Sequence, residues 1–377
     1  MYKKLFLHFL LSVFLGLSIH FITEEIESLN PIKNAIVDIS FSDLYFASSQ
    51  KKVSDDIFIV DIGAKNSETT RIEIANFIQF VNEKYKPSVI AVDVLFDSQS
   101  KNDSVDNYLS EQLNSKNVIK IFKVNKEYKF PYYSSLPGLR FNDDGYTFSL
   151  GEVLKNSCIR YYKPFIKLDS TRYFHFSKKV AEKFLNKNLE SEVNFNKKMM
   201  INYNVDFNKN IIDINDTINF SKLKNKIVFV GISKLNKNGY PLFTEDTHFT
   251  PVNQTFIGRS KPDMYGISIL ATITSNLINY ESISYNGIVS TILNILVIVF
   301  LYTSLFFFFF KYNHVYLFFK LILQTLGVLF LIMISLGFIY YTNKYIDLSF
   351  AILVMLFLPE LVKINHKILS KISFYNE

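Results

Sequence analysis

Residues 57–96 read IFIVDIGAKNSETTRIEIANFIQFVNEKYKPSVIAVDVLF. Two apolar runs in this stretch, IFIVDI at 57–62 and VIAVDVLF at 89–96, are nearly continuous. A strand with one wet face alternates, so a continuous run belongs in a sheet covered on both sides. Between them Ile72, Ala75, Phe77, Ile78 and Val81 recur near helical spacing, and Pro87 ends the segment. The pattern predicts strand, helix over 69–83, strand, a unit that is almost always a right-handed parallel crossover. Outward from it, VIKIFKV at 118–124 is a further strand behind a helix over 104–113, and KIVFVGI at 226–232 is another buried run ending at glycine. The fold class is therefore an α/β domain.

The remaining segments are less regular. Residues 131–151 are turn-rich, and Asp143-Asp144-Gly145 has the composition of a tight turn. Residues 171–190 are expected to be helical, 198–204 to form a strand, and 205–220 to be an Asn-rich loop. A long loop over 233–262 precedes a helix over 264–283 that leads straight towards the next apolar segment. No repeat of fixed period is present.

Four other stretches are apolar on a membrane scale. LFLHFLLSVFLGLSIHFI at 5–22 follows Lys3 and Lys4 and lacks a small-residue cleavage site, so it reads as an uncleaved signal anchor. Residues 288–310 and 321–341 carry no charge and are long enough for a hydrocarbon core of about 30 Å. A weaker stretch over 348–362 runs into Pro359 and Glu360 and is either a tilted span or an interfacial helix. Lysines flank the first span, the 311–320 turn and the end of the fourth. The positive-inside rule thus puts both termini and that turn in the cytoplasm. The expected organisation is a signal anchor (1–23), an extracytoplasmic α/β domain (24–285), a three-helix transmembrane cluster (286–363) and a cytoplasmic tail (364–377), in the inner membrane with the domain periplasmic. No charged pair is expected inside the spans, which argues against an ion pathway.

Composition agrees with this division. Of 377 residues 49 % are hydrophobic and 20 % charged, and the mean hydropathy is +0.15. A net charge of +7 comes from lysines scattered among Asn, Ile and Phe, with no basic patch interleaved with aromatics, so nucleic acid is not an expected partner. The single cysteine, Cys158, allows no disulfide within the chain, and the exported domain must rest on its own core.

Ligands of open α/β sheets sit outside the carboxyl ends of the strands, here 61–64, 96–98 and 231–233. Candidate ligand-binding residues are therefore Asp61, Asp93, Asp97 and Ser233, joined by Asp246 and Thr250 of the long loop. The three carboxylates at strand ends suit a hard cation. Capping and turn formation account for them equally, and no metal or other cofactor is assigned. Asp61 and Asp93, within apolar runs, need partners if buried. Glu245, Asp246 and His248 hold too little imidazole or thiolate for a transition-metal site. Ser233 and Ser67 lack a nucleophile-elbow context, and neither a Walker loop nor G-x-G-x-x-G occurs; no catalytic residue is assigned.

Taken in order, IFIVDIG at 57–63, KPSVIAVDVLFD at 86–97, DDGYTFSLG at 143–151, MMINYN at 199–204, LKNKIVFVGIS at 223–233, FTP at 249–251 and YGISILATITSNLIN at 265–279 together resemble the second class of CHASE domains, which are extracellular sensory modules. The resemblance implies a receiver of extracytoplasmic signals between an N-terminal anchor and three C-terminal membrane helices, usually continuing into a cyclase or kinase. Relatives carry tryptophan and arginine near the first helix, where this chain has no Trp and Arg71 is the nearest match. Relatives also place arginine after the DG turn, where Tyr146 and Thr147 stand here.

The functional expectation is a non-enzymatic, membrane-anchored sensor. It would bind a small-molecule or protein ligand at the open end of the sheet and pass the signal to a separate membrane or cytoplasmic output protein, because KINHKILSKISFYNE at 363–377 is too short for a catalytic fold. The alternatives are a structural subunit of an envelope complex and an exported metal-dependent hydrolase built on Asp61, Asp93 and Asp97.

Overall fold

The computed structural model describes residues 6, 42–63, 68–125, 130–140, 144–147, 158–168, 170–191, 198–236, 239–243, 246–253 and 262–371. The expected anchor at 5–22 (apart from Phe6), Ser67, Glu245 and residues 372–377 of the tail lie outside the described residues. Two compact units emerge, one over 46–285 and one formed by 1–45 with 286–377.

The first unit is mixed α/β. Its elements are β1 (Ile57–Asp61), α1 (Glu68–Lys84), β2 (Val89–Val92), α2 (Asp103–Leu113), β3 (Val118–Asn125), β4 (Phe130–Tyr132), β5 (Gly145–Tyr146), α3 (Phe176–Leu185), β6 (Ile211–Asp213), β7 (Ile227–Gly231) and α4 (Gly266–Ile278). The main sheet has the order β6-β1-β7-β2-β3-β4, with β5 also paired to β3. Pairings among β6, β1, β7, β2 and β3 are all parallel. The β1-α1-β2 and β2-α2-β3 crossovers step the same way across the sheet, so right-handedness puts α1 and α2 on one face. On the other face α3 and α4 pack together. Ile57, Ile59, Val60, Val89, Ile90 and Val228 to Val230 are essentially inaccessible, which is why these strands read as unbroken apolar runs.

Several expectations require correction. The second strand ends at Val92, not Phe96. Asp93 N still donates to Val230 O (2.9 Å), but Phe96 turns away, its N–H going to Ser134 Oγ (3.1 Å) and its carbonyl to Ser135 N (2.8 Å). Residues 171–174 are not helical; they pair antiparallel with Phe165–Leu168, and α3 starts only after His175, whose ring nitrogen accepts from Ser177 N. The strand expected over 198–204 pairs only at Met199–Met200, between Tyr161–Tyr162 and Ile283–Tyr285. The Asn-rich loop hides β6, an edge strand in register with β1 (Ile211 opposite Ile59). Gly145 is not a turn residue but the first residue of β5. A Cβ there would stand 2.3 Å from Phe176 Cα, so glycine permits this strand to meet the start of α3. The helix expected over 264–283 is α4 alone; it stops at Ile278, Tyr280 takes a left-handed φ of 57°, and the chain re-enters a sheet at Ile283–Tyr285.

The second unit holds α5 (Gly287–Lys311), α6 (Val315–Thr342) and α7 (Ser349–Leu369). Both α5 and α6 are long and apolar enough to cross a membrane, and only 28 % and 17 % of their most apolar windows are buried, unlike core helices of a soluble domain. Ile288, Phe300, Phe330, Met333 and Phe357 point outward, 61–74 % exposed, as lipid-facing residues do. Small and polar groups turn inward. Asn294 of α5 donates to Asp347 O (2.7 Å) and accepts from Ala351 N (2.8 Å), while Ser290 Oγ accepts from Asp347 N (3.1 Å). The bond to Ala351 satisfies one free N–H in the first turn of α7 from a neighbouring helix, and the other two fix Asp347 just ahead of it. Around Pro359 inside α7, Gln324 Nε2 of α6 donates to Leu356 O (2.7 Å), one of the carbonyls a proline loosens, and Tyr316 Oη donates to Pro359 O (2.9 Å). Lys320, just ahead of the expected 321–341 span, and Glu360 of α7 form an ion pair, which single-segment hydropathy conceals because each residue stands near the end of its own apolar run.

Candidate functional site

The carboxyl edge of the parallel sheet is assembled from strand ends. Gly231 of β7 is opposite Asp61 of β1, and Phe229, two residues back on the same face, touches Phe176 of α3 edge-on at 6.1 Å. Asp61 therefore faces the α3/α4 layer and is only 3 % exposed. A Cβ on Gly231 would stand 2.8 Å from Ile267 Cδ1 and 3.5 Å from Asp93 Cβ. Glycine thus lets both α4 and the segment after β2 close over the edge.

Asp61 Oδ1 accepts from Ser233 N at 2.7 Å. Burial pushes its carboxyl above the ordinary 3.8, against the downward pull of the Ser233 and Gly63 amides and Lys234. Ser233 is fully buried, and its Oγ has no hydrogen-bond partner among the described residues. Next to this pair Tyr265 Oη donates to Lys234 O and accepts from Phe243 N, both at 2.9 Å, pinning the loop that follows β7 to the start of α4.

The loop residues occupy neighbouring positions. Asp246, with a left-handed φ of 54°, accepts from Gly266 N through its carbonyl at 2.9 Å. Its carboxylate lies against Gly266, where a Cβ would be 2.6 Å from Oδ2. A negative charge at the first residue of α4 complements the helix dipole, and His248 Nε2 stands 3.5 Å from Asp246 Oδ1. Thr250, fully buried, donates its N–H (2.8 Å) and its hydroxyl to the two carboxylate oxygens of Asp263. Burial raises the Asp263 carboxyl above 3.8 despite donors from Thr250 and Asn253.

The structure thus brings Asp61 and Ser233 together, places Asp93 beside Gly231, and gives Asp246 and Thr250 roles at α4 and Asp263. Asp97 is exposed, and its carbonyl accepts from Ser135 Oγ (3.1 Å). Among the described residues no group of three or more His, Cys, Asp or Glu is placed to hold a metal ion, so Asp61, Asp93 and Asp97 do not form the cation site that the hydrolase alternative needs.

Sequence reasoning missed Asp263 and Tyr265. A cavity of about 270 Å³ opens between the 205–208 segment, Leu235, Gly239 and Tyr240, residues 252–253 and the first turn of α4. Asp206, Asn208, Tyr240, Asn253, Asp263 and Tyr265 supply its polar wall, and Lys51 its basic one. A buried aspartate just before a helix was the available signal. Also missed was Arg71, 6 % exposed, paired with the 1 % exposed Asp106 of α2 and donating to Ser98 O at 2.7 Å. It ties the loop beyond β2 to the α1/α2 layer.

With this geometry in view, the comparisons are decisive about family. The sequence profile of the CHASE2 domain matches residues 10–305, well over half of the chain. The chain belongs to the CHASE2 domain family, a family of extracellular sensory domains, and its two long apolar helices mark a membrane protein. No curated protein and no solved structure matches it.

Proposed function

We propose that this chain is a non-enzymatic, multi-pass membrane receptor. Its α/β unit lies outside the cytoplasm, binds a ligand at the carboxyl edge of the sheet and alters a separate output protein through the helices that follow. The observation that carries this reading is the cavity, which sits beside the first turn of α4, the helix one short strand away from α5 in sequence. A ligand that binds two arrangements of this edge with different affinity shifts their populations, and α4 is the element best placed to report the shift. Both termini, the connection between α5 and α6 around Tyr312 (expected as a turn over 311–320, but with 315–320 already in α6) and the lysines after α7 are assigned to the cytoplasm on the positive-inside rule.

Topology and function are tested separately. Ile218, 87 % exposed, changed to cysteine in a Cys158→Ser background reacts with a membrane-impermeant maleimide in intact cells in which that reagent has reached the periplasm. Labelling only after inner-membrane lysis places the domain in the cytoplasm and sinks the reading. Removing residues 46–285 abolishes the response of the output protein; a response that persists unchanged removes the sensory role and favours a structural one.

A further inference from the structure

We infer that the cavity beside α4 takes a small zwitterion of the amino-acid class, with its ammonium group towards Asp206 and Asp263 and its carboxylate towards Lys51. This rests on the sensory reading above and narrows its ligand. Size is the first constraint. At about 270 Å³ the cavity has room for several water-sized groups. That suits a free metabolite and is too small for a folded partner or a lipid tail.

Charge is the second. Two carboxylates and one lysine line the cavity. The Asp263 carboxylate is held by neutral donors from Thr250 and Asn253, and burial disfavours its charge, so a cation arriving at that wall improves its electrostatics. Asp206 Oδ1 accepts from Asn208 N at 3.0 Å, and the side chain remains half-exposed on the cavity wall. A bare anion meets two negative groups for one positive one. A bare divalent cation meets the lysine, and no cluster of three ligating side chains is present among the described residues. A molecule with both charges matches both walls.

The neutral lining is the third. Phe207 and Tyr240 are among the lining residues, and an aromatic ring in such a lining attracts an ammonium group. Asn208 and Asn253 supply amides that hydrogen-bond either end. Tyr265, on the same wall, also holds the loop after β7 through Lys234 O and Phe243 N, so occupancy is communicated to the sheet edge through an existing contact.

The test is calorimetric titration of the purified full chain in detergent with neutral, basic and acidic amino acids, 1,4-diaminobutane, succinate and inorganic phosphate. At least one amino acid binds, whereas succinate and phosphate do not. Asp206→Asn keeps an acceptor for Asn208 N and removes only the charge. It weakens amino-acid binding by about tenfold or more, the loss of a charge-assisted hydrogen bond, with an unchanged melting temperature. Lys51→Ala weakens the amino acid and leaves any binding of the diamine intact. Binding of succinate or phosphate in preference to amino acids, no binding by any of the panel, or amino-acid binding indifferent to Asp206→Asn and Lys51→Ala overturns the inference. The sensory reading survives each of those results so long as deletion of 46–285 still abolishes the output response, and fails independently if it does not.

Discussion

Asp106→Ala is the substitution with the largest expected effect on the α/β unit. It removes a carboxylate that is 1 % exposed and paired with Arg71, 6 % exposed. The Asp106 carboxylate also accepts from Ser100 N at 2.7 Å, while Arg71 donates to Ser98 O at 2.7 Å and lies 5.4 Å from the Phe96 ring centroid. One pair therefore fastens α1, α2 and the chain beyond β2. Truncating one partner of a buried pair leaves an uncompensated charge and costs about 3–5 kcal/mol. For a unit of this size each kcal/mol moves the melting temperature by roughly 2–4 °C, so a drop of about 6–20 °C is expected. The chain has one thiol, Cys158, which is half-buried. A thiol-reactive dye on the full chain in detergent therefore reports unfolding of this unit specifically. Arg71→Met with Asp106→Leu removes both charges and keeps volume, so it should recover most of the loss. A drop below about 2 °C for Asp106→Ala, or single and double substitutions that simply add, would refute the claim that this pair fastens the edge.

Other expectations follow from the same structure. Asp61 and Asp263 both have folded carboxyl values raised by burial. The folded state therefore binds more protons than the unfolded state above pH 3.8, and stability falls as pH rises from there through the folded values. Melting temperature against pH should decline over that window, and Asp61→Asn with Asp263→Asn should flatten the decline. Gly145→Ala sets a Cβ 2.3 Å from the backbone of Phe176 and should cost about 1–3 kcal/mol or more, read by the same dye assay. Asn294→Ala removes bonds to Ser290 O, Asp347 O and Ala351 N. At about 0.6 kcal/mol for each interhelical bond in lipid, it should weaken the α5/α7 contact by roughly 1–2 kcal/mol, measured as earlier loss of a disulfide-free cross-link between the two helices on detergent titration.

The legible parts of this fold were those in which burial is continuous along the chain. β1, β2, β3 and β7 lie inside the sheet with both faces covered, so their apolar runs identify them without reference to neighbours, and the helical spacing of Ala75, Phe77, Ile78 and Val81 does the same for α1, although Ile72 is exposed and the buried Ile74 stands in its place. What escaped was pairwise. β6 is three residues on an edge, and only its register with β1 makes it a strand. TRYF at 171–174 is a strand because FIKL is opposite it. The six candidate residues were found from strand ends and loop composition, and the structure does place Asp61 against Ser233. Asp263 and Arg71 needed partners 13 and 35 residues away, Thr250 and Asp106, and Lys320 a partner 40 residues on. No local window contains such pairs.

The break after α4 bears on how a binding event could leave the sheet. A continuous helix from 264 to 283 would act as a rigid rod. Instead Asn276, in the last turn of α4, accepts from Asn202 N (2.8 Å) and donates to Asn202 O (2.9 Å), while Asn202 Nδ2 donates to Glu281 O (3.2 Å). Glu281 is opposed by burial, yet Lys52 and Asn204 hold its carboxyl below the ordinary value. Ile283 then pairs with Met200, one residue before Ile201 takes Arg160 O (2.9 Å). Asn276, Glu281, Ile283 and Ser284 are thus tied to the 199–204 segment, which leads at Val205 into the wall of the cavity. Residues 199–205 therefore connect the wall of the cavity with Ile283–Ser284 by strand pairing, not by continuity of the chain. The Asn202–Asn276 amide pair is thus the contact that joins the last turn of α4 to the 199–204 segment within this unit.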